Sequence, residues 1–208
     1  GQKIFERFAL EIAKRLKRVT GNENLCVAGG AGLNIDANRI FLEEAGFKHL
    51  FVQPAASDCG IPLGAALYGY HIILGQPRGW EMKSAALGRP YTEDEIKSAI
   101  AKFENRIIVR KSDGVCEETA KLIADGNIIG WFHGGSEYGP RALGNRSILA
   151  DARSPEAKDI LNARVKHREL WRPFAASVLE EKMGELFDIT VPSPFILCTK
   201  TALAAFSP

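Results

Sequence analysis

The run Glu137-Tyr138-Gly139-Pro140-Arg141-Ala142-Leu143-Gly144-Asn145-Arg146-Ser147 concentrates residue types that hold phosphorylated ligands. It is followed by Asn162, Lys166-His167-Arg168-Glu169 and Arg172-Pro173-Phe174. Between Glu137 and Arg172 there are eight Lys and Arg against five Asp and Glu, a local positive excess in a chain whose overall formal charge is only +2. Guanidinium groups fork onto phosphate oxygens, and backbone N–H groups beside glycines add concave anion sites. Arg141, Arg146, Lys166, Arg168 and Arg172 are therefore the candidate catalytic cations, with Gly139, Asn145 and Ser147 as candidate nucleotide contacts. The alternative is a set of solvated charges and structural ion pairs.

Two further segments could carry chemistry. Ala28-Gly29-Gly30-Ala31-Gly32-Leu33-Asn34 stands where a strand should end and a helix begin. There a glycine backbone can approach a ligand, and helix N–H groups face an anion or a sugar hydroxyl. Its spacing fits neither GxGxxG nor GxxxxGK[ST], so it is a candidate nucleotide turn or simply a tight turn. In Pro54-Ala55-Ala56-Ser57-Asp58-Cys59-Gly60, Asp58 precedes an expected helix. It is either an N-cap or a metal ligand whose partners come from elsewhere.

The elements that must position these residues follow from periodicity and punctuation. Ile4, Phe8, Ile12 and Leu16, joined by Phe5 and Val19, predict a surface helix with a solvated basic face of Lys3, Arg7, Lys14, Arg15, Lys17 and Arg18, ended by Thr20-Gly21-Asn22. A strand is expected over 24–28, a helix over 36–45, a strand over 49–52 and a helix over 62–74, an α/β pattern with a parallel strand pair. Residues 75–90 (GQPRGWEMKSAALGRP) are rich in Gly, Pro and basic side chains and lack periodicity, which marks a linker at 76–90. Beyond it, Thr92 and Glu95 have capping-box spacing for a helix to Ala101. Expected next are a strand over 107–110, a helix over 115–124, a buried strand over 127–132, a glycine-rich loop over 133–146 and a short strand over 147–150. A helix from Ser154-Pro155 through Arg168 and a strand over 174–179 complete the reading.

The 208 residues, 46% of them hydrophobic, exclude a disordered tail or a collagen-like chain and suffice for one large domain or two small ones. The near-neutral charge argues against a general polyanion binder. Apolar stretches stop well short of the ~20 residues that span a bilayer, so a soluble protein is expected. Cys26, Cys59, Cys116 and Cys198 are widely spaced with no zinc pattern, which suggests reduced thiols in the cytoplasm. Starting at Gly1 without Met and stopping at Ser207-Pro208, the sequence reads as a piece of a longer chain.

At these residues the chain resembles the O-carbamoyltransferases, a family that includes nodulation and antibiotic-biosynthesis enzymes. The resemblance runs through CVAGGAGLNIDANRI, VQPAASDCGIPLGAAL, LGRPYTEDEI, GWFHGGSEYGPRALGNRSILAD and NARVKHRELWRPFAASVLEE, in order over most of the sequence. It implies an α/β protein in which residues 1–75 are the C-terminal part of an actin-like carbamoyl-transfer domain. Residues 91–208 would then be the N-terminal part of a YrdC-like domain that forms carbamoyl-adenylate. The reaction implied uses carbamoyl phosphate and ATP, with Mg2+ for adenylation, and delivers the carbamoyl group to a hydroxyl of a small-molecule acceptor.

The resemblance also implies residue roles. Gly29, Gly30 and Asn34 match the family's turn facing the adenosine of carbamoyl-adenylate. Asp58 matches its metal-binding aspartate, where a divalent ion, Fe2+ in some relatives, polarises the carbamoyl carbonyl. The family's histidine ligands lie in an N-terminal part outside this sequence, since His49, His71, His133 and His167 form no HxxxH pair. Two other classes compete. An RNA-binding YrdC-like module is disfavoured by the low net charge and by the irregular placing of Tyr138, Trp171 and Phe174. An actin-like sugar kinase leaves the second half of the chain unused.

Overall fold

The computed structural model describes residues 1–188 and 193–198. They form an α/β protein of two compact units. One comprises 1–85, 138–141 and the described residues from 179 onward, and the other comprises 86–137 and 142–178.

In the first unit, α1 (Gln2–Thr20) ends where Gly21 turns left-handed at φ 63° and donates its N–H to the Lys17 carbonyl at 2.9 Å. β1 (Asn24–Val27) and β2 (His49–Val52) pair in parallel, Asn24 opposite His49 and Val27 opposite Val52, joined through α2 (Ile35–Glu44). This is the expected parallel pair, because a helical crossover returns the chain in the same direction. α3 (Ile61–Tyr68) continues into a π-helical turn, Gly69–Ile73, over the span expected for one helix. Ala13, Leu25, Ala45 and Phe47 make the core, with Leu10, Val27, Phe41 and Leu50 packed against it. Burying a side chain such as Phe47 contributes about 2 kcal/mol.

The face that α1 buries is a correction to the sequence reading. Ile4, Phe8 and Ile12 are 63%, 67% and 69% exposed, whereas Ala13 is buried. Small Ala13 lets α1 approach the core closely, and Lys17 lays its stem toward the Phe47 ring, its Nζ 5.5 Å from the centroid. The broad apolar stripe lies on another side of the helix.

In the second unit, α4 (Glu93–Ala101) carries the expected capping box. Thr92 Oγ1 accepts the Glu95 N–H at 3.3 Å, and the Glu95 carboxylate accepts the Thr92 N–H at 2.9 Å. α5 (Val115–Ala124) is closed by Asp125 and by Gly126 at φ 85°. β3 (Ile129–Phe132) and β4 (Arg146–Leu149) form an antiparallel pair with Phe132 opposite Arg146.

Four sequence expectations fail in this unit. β3 is not a buried strand: Phe132 is 57% exposed, as befits one half of a two-stranded ribbon. Residues 107–110 form no strand; Ile108 is fully exposed and Arg110 is ion-paired to Glu118 at 2.6 Å. Residues 174–179 form no strand either. The helix expected from residue 154 through Arg168 is shorter. α6 (Ala157–Ile160) passes into a π-helical turn, Leu161–Lys166, which His167 stops by adopting φ 48°, so Arg168 lies in the following loop. α7 (Met183–Leu186) belongs to the first unit. No helix among the described residues is long and apolar enough to cross a membrane.

Candidate functional site

The loop from His133 to Arg146 is built around the carboxylate of Glu137, whose side chain is 1% exposed. Its Oε1 accepts the backbone N–H groups of Leu143 and Asn145, each at 2.7 Å, and its Oε2 is ion-paired with Arg146 Nε at 3.1 Å. Burial pushes this carboxyl up. Backbone N–H groups of Asn145, Leu143, Glu137 itself and Arg146 outweigh that cost and hold it below the ordinary carboxylate range. Asn145 locks the loop further, donating Nδ2–H to the Gly135 carbonyl at 2.9 Å and accepting the His133 N–H at 2.8 Å. Ser147 Oγ accepts the N–H of Gly144, a residue at φ 111°. Arg146, Asn145 and Ser147 are thus brought together, and the polar groups of the latter two shape the loop.

A second centre forms around Asn162, which is fully buried. Its Nδ2 donates to the carbonyls of Arg172 at 2.9 Å and Leu170 at 3.3 Å, and its Oδ1 accepts the Arg168 Nε–H at 2.6 Å. Arg168 also donates Nη2–H to the Pro173 carbonyl at 3.3 Å and stacks over the Phe174 ring at 4.6 Å. Arg172 pairs with Glu169 at 2.8 Å and lies over Trp171 at 5.5 Å. The Glu169 carboxyl is lowered by its own backbone N–H and by Arg172. Arg168 and Arg172 therefore share one loop, with Lys166 exposed at the end of the turn that precedes it.

The remaining predicted residues lie in the first unit, with Arg141 and Gly139 on its 138–141 segment. A Cβ on Gly139, at φ 116°, would meet the Pro54 carbonyl oxygen at 2.8 Å, and the Tyr138 hydroxyl donates to the Cys59 carbonyl. Gly29 (φ 92°) and Gly30 lead into a 3-10 turn, Gly30–Leu33. Asn34 caps α2, accepting the Ala37 N–H at 3.1 Å, and exchanges amide hydrogen bonds with Gln2 at 2.9 and 3.0 Å. Buried Asn38 donates to the Gly32 and Leu197 carbonyls, both at 2.8 Å.

Asp58 is exposed at the first position of a 3-10 turn, Asp58–Gly60, for which Ser57 is the N-cap residue. Among the described residues no group of three or more His, Cys, Asp or Glu gathers to hold a metal ion. These residues alone do not make a metal centre.

Glu137, Asn162 and Asn38 were not singled out as site residues from the sequence. An acid or amide enclosed by Gly, Pro and Asn residues is the local signal in the first case. For the two asparagines, on helical segments, burial is set by the tertiary fold and leaves no local trace.

The chain matches the family described as Carbamoyltransferase N-terminus over residues 2–67 and Carbamoyltransferase C-terminus over residues 120–206. It is 38% identical over 203 residues to nodulation protein NolO of Bradyrhizobium diazoefficiens, covering 90% of this chain and 34% of that protein. It is 33% identical over 197 residues to the 3'-hydroxymethylcephem-O-carbamoyltransferase of Streptomyces clavuligerus, covering 94% of this chain and 35% of that enzyme. The chain thus spans about a third of the length of these relatives. With both family segments present in order across most of its length, the chain belongs to the carbamoyltransferase family.

Proposed function

We propose that this chain is part of an ATP-dependent O-carbamoyltransferase. Carbamoyl phosphate, ATP and one water give carbamoyl-adenylate, phosphate and pyrophosphate; an acceptor hydroxyl oxygen then attacks the carbamoyl carbon and AMP leaves. The acceptor is a hydroxyl-bearing small molecule of the sugar, antibiotic or nodulation-factor class. The observation that carries this reading is the pair of polar centres in the second unit. There Glu137 organises Arg146, and Asn162 organises Arg168 and the backbone beside Arg172.

Adenylation brings a carbamoyl oxygen against a triphosphate. Its barrier falls when fixed cations neutralise the phosphates and hold the reactants in line. Arg146, Lys166, Arg168 and Arg172 supply those cations, all four lying in the second unit. By the resemblance, we assign residues 91–208 to a YrdC-like adenylating module. Residues 1–75 we assign to an actin-like transfer module, with 76–90 as the linker between the modules. Gly29, Gly30 and Asn34 form its nucleotide turn, Arg141 is a further phosphate contact, and Gly139, Asn145 and Ser147 shape the nucleotide loop. Asp58 would contribute one ligand to a divalent ion that needs others from outside the described residues.

The test is pyrophosphate release from ATP by the full-length protein carrying this chain. Release is expected only when carbamoyl phosphate is supplied with Mg2+. Release that ignores carbamoyl phosphate, or none at all, overturns the assignment.

A further inference from the structure

Glu137 is the most enclosed carboxylate among the described residues, and the loop is folded onto it. One oxygen takes two backbone N–H groups while the other faces a guanidinium, so the two halves of the carboxylate do different work. The Oε1 bonds fix the path of the backbone from Leu143 to Asn145. The Oε2 contact fixes the side chain of the next residue, Arg146, which is 36% exposed. Ordering a long arginine side chain only on ligand binding costs affinity, and a side chain already held by a buried carboxylate is spared part of that cost.

We infer that Glu137 is a positioning residue, whose carboxylate holds the Arg146 guanidinium in place to receive the phosphates of a nucleoside triphosphate. The inference rests on the adenylating role proposed above and adds to it a residue that does not itself touch substrate. The Arg146 guanidinium gives the buried carboxylate its counter-charge at 3.1 Å, so the side chain is placed before any ligand arrives.

The roles of the two oxygens separate in Glu137→Gln. Its amide oxygen can still accept the Leu143 and Asn145 N–H groups, whereas its neutral NH2 offers no negative charge to the Arg146 guanidinium that lies 3.1 Å from Oε2. Glu137→Asp keeps the charge on a shorter arm. In the full-length protein, ATP affinity is measured by calorimetry, and loop integrity is followed by hydrogen exchange at the Leu143 and Asn145 amides.

Glu137→Gln should leave both amides protected and weaken ATP binding about tenfold, with Glu137→Asp in between. Arg146→Gln should weaken it similarly, and the double variant should be no weaker than Arg146→Gln by more than about twofold, because Glu137 acts through Arg146. ATP binding unchanged in Glu137→Gln, or losses that multiply in the double variant, would overturn the inference. The multiplication test decides even where Glu137→Gln loosens the loop. Wild-type protein that binds ATP without carbamoyl-phosphate-dependent pyrophosphate release would sink the proposed reaction and leave this inference standing. Wild-type protein that binds no ATP would sink both.

Discussion

Arg168 donates its Nε–H to the buried Oδ1 of Asn162 at 2.6 Å, and this bond ties the loop after the π-helical turn back to the turn itself. The same amide holds the carbonyls of Leu170 and Arg172 from its other end. One side chain thus fixes a guanidinium and the backbone beside a second one. A buried amide with all of these bonds made is stabilising, and it is costly to disturb because each partner would be left without its bond.

Asn162→Asp tests this directly. Arg168 keeps its acceptor, but the Leu170 and Arg172 carbonyls would face an oxygen in place of a donor. The expected loss of unfolding free energy is about 2 kcal/mol, read by urea denaturation with tryptophan fluorescence. A change within about 0.5 kcal/mol, the range of an ordinary surface substitution, would show that the amide does not hold the loop.

Gly139→Ala places a methyl group 2.8 Å from the Pro54 carbonyl oxygen, at a φ of 116° that side chains rarely adopt. Backbone atoms on both sides of the contact leave little room to yield. Destabilisation on the order of 3 kcal/mol is expected from steric and conformational strain together, visible as a lowered Tm. An unchanged Tm would mean that the approach of these two segments is loose.

The capping box at Thr92 predicts an acid-resistant helix end. Hydrogen bonds from the Arg89 guanidinium, then the Thr92 backbone N–H, lower the Glu95 carboxyl to about 2. Its folded value is depressed, so its contribution to stability is present above the ordinary glutamate range near pH 4.5 and is lost as pH falls through about 2. Carboxyl NMR titration should therefore find Glu95 still ionised at about pH 3, where an unperturbed glutamate is protonated. Arg89→Met should raise the midpoint toward 4.5, with the Thr92 hydrogen bonds still holding it below that value. A wild-type midpoint already near that value would remove the basis of the prediction.

Local signals located elements well wherever punctuation was strong. The Thr92–Glu95 spacing, the Asp125-Gly126 stop and the β-branched and aromatic strand 49–52 all lie where the sequence puts them, since caps and turns are settled by neighbours a few residues away. Residues 107–110 and 174–179 have strand-like composition but join no sheet among the described residues, because a strand needs a partner that composition cannot supply. The helical period of α1 was readable, and its packing side was not: Ala13 against Phe47 prevailed over a larger apolar stripe. In the candidate site, the clustering of Arg146, Asn145 and Ser147 was visible as a motif. Their dependence on Glu137 was hidden, since an acid in a glycine-rich loop looks the same whether buried or solvated.

The reach of Asn38 has a consequence for biosynthesis. Its amide fastens the carbonyl of Gly32 to that of Leu197, residues laid down 165 positions apart. At about 5–20 residues per second, the ribosome takes roughly ten seconds or more to make the later partner. The nascent glycine turn must wait through that interval with half of its fastening unmade.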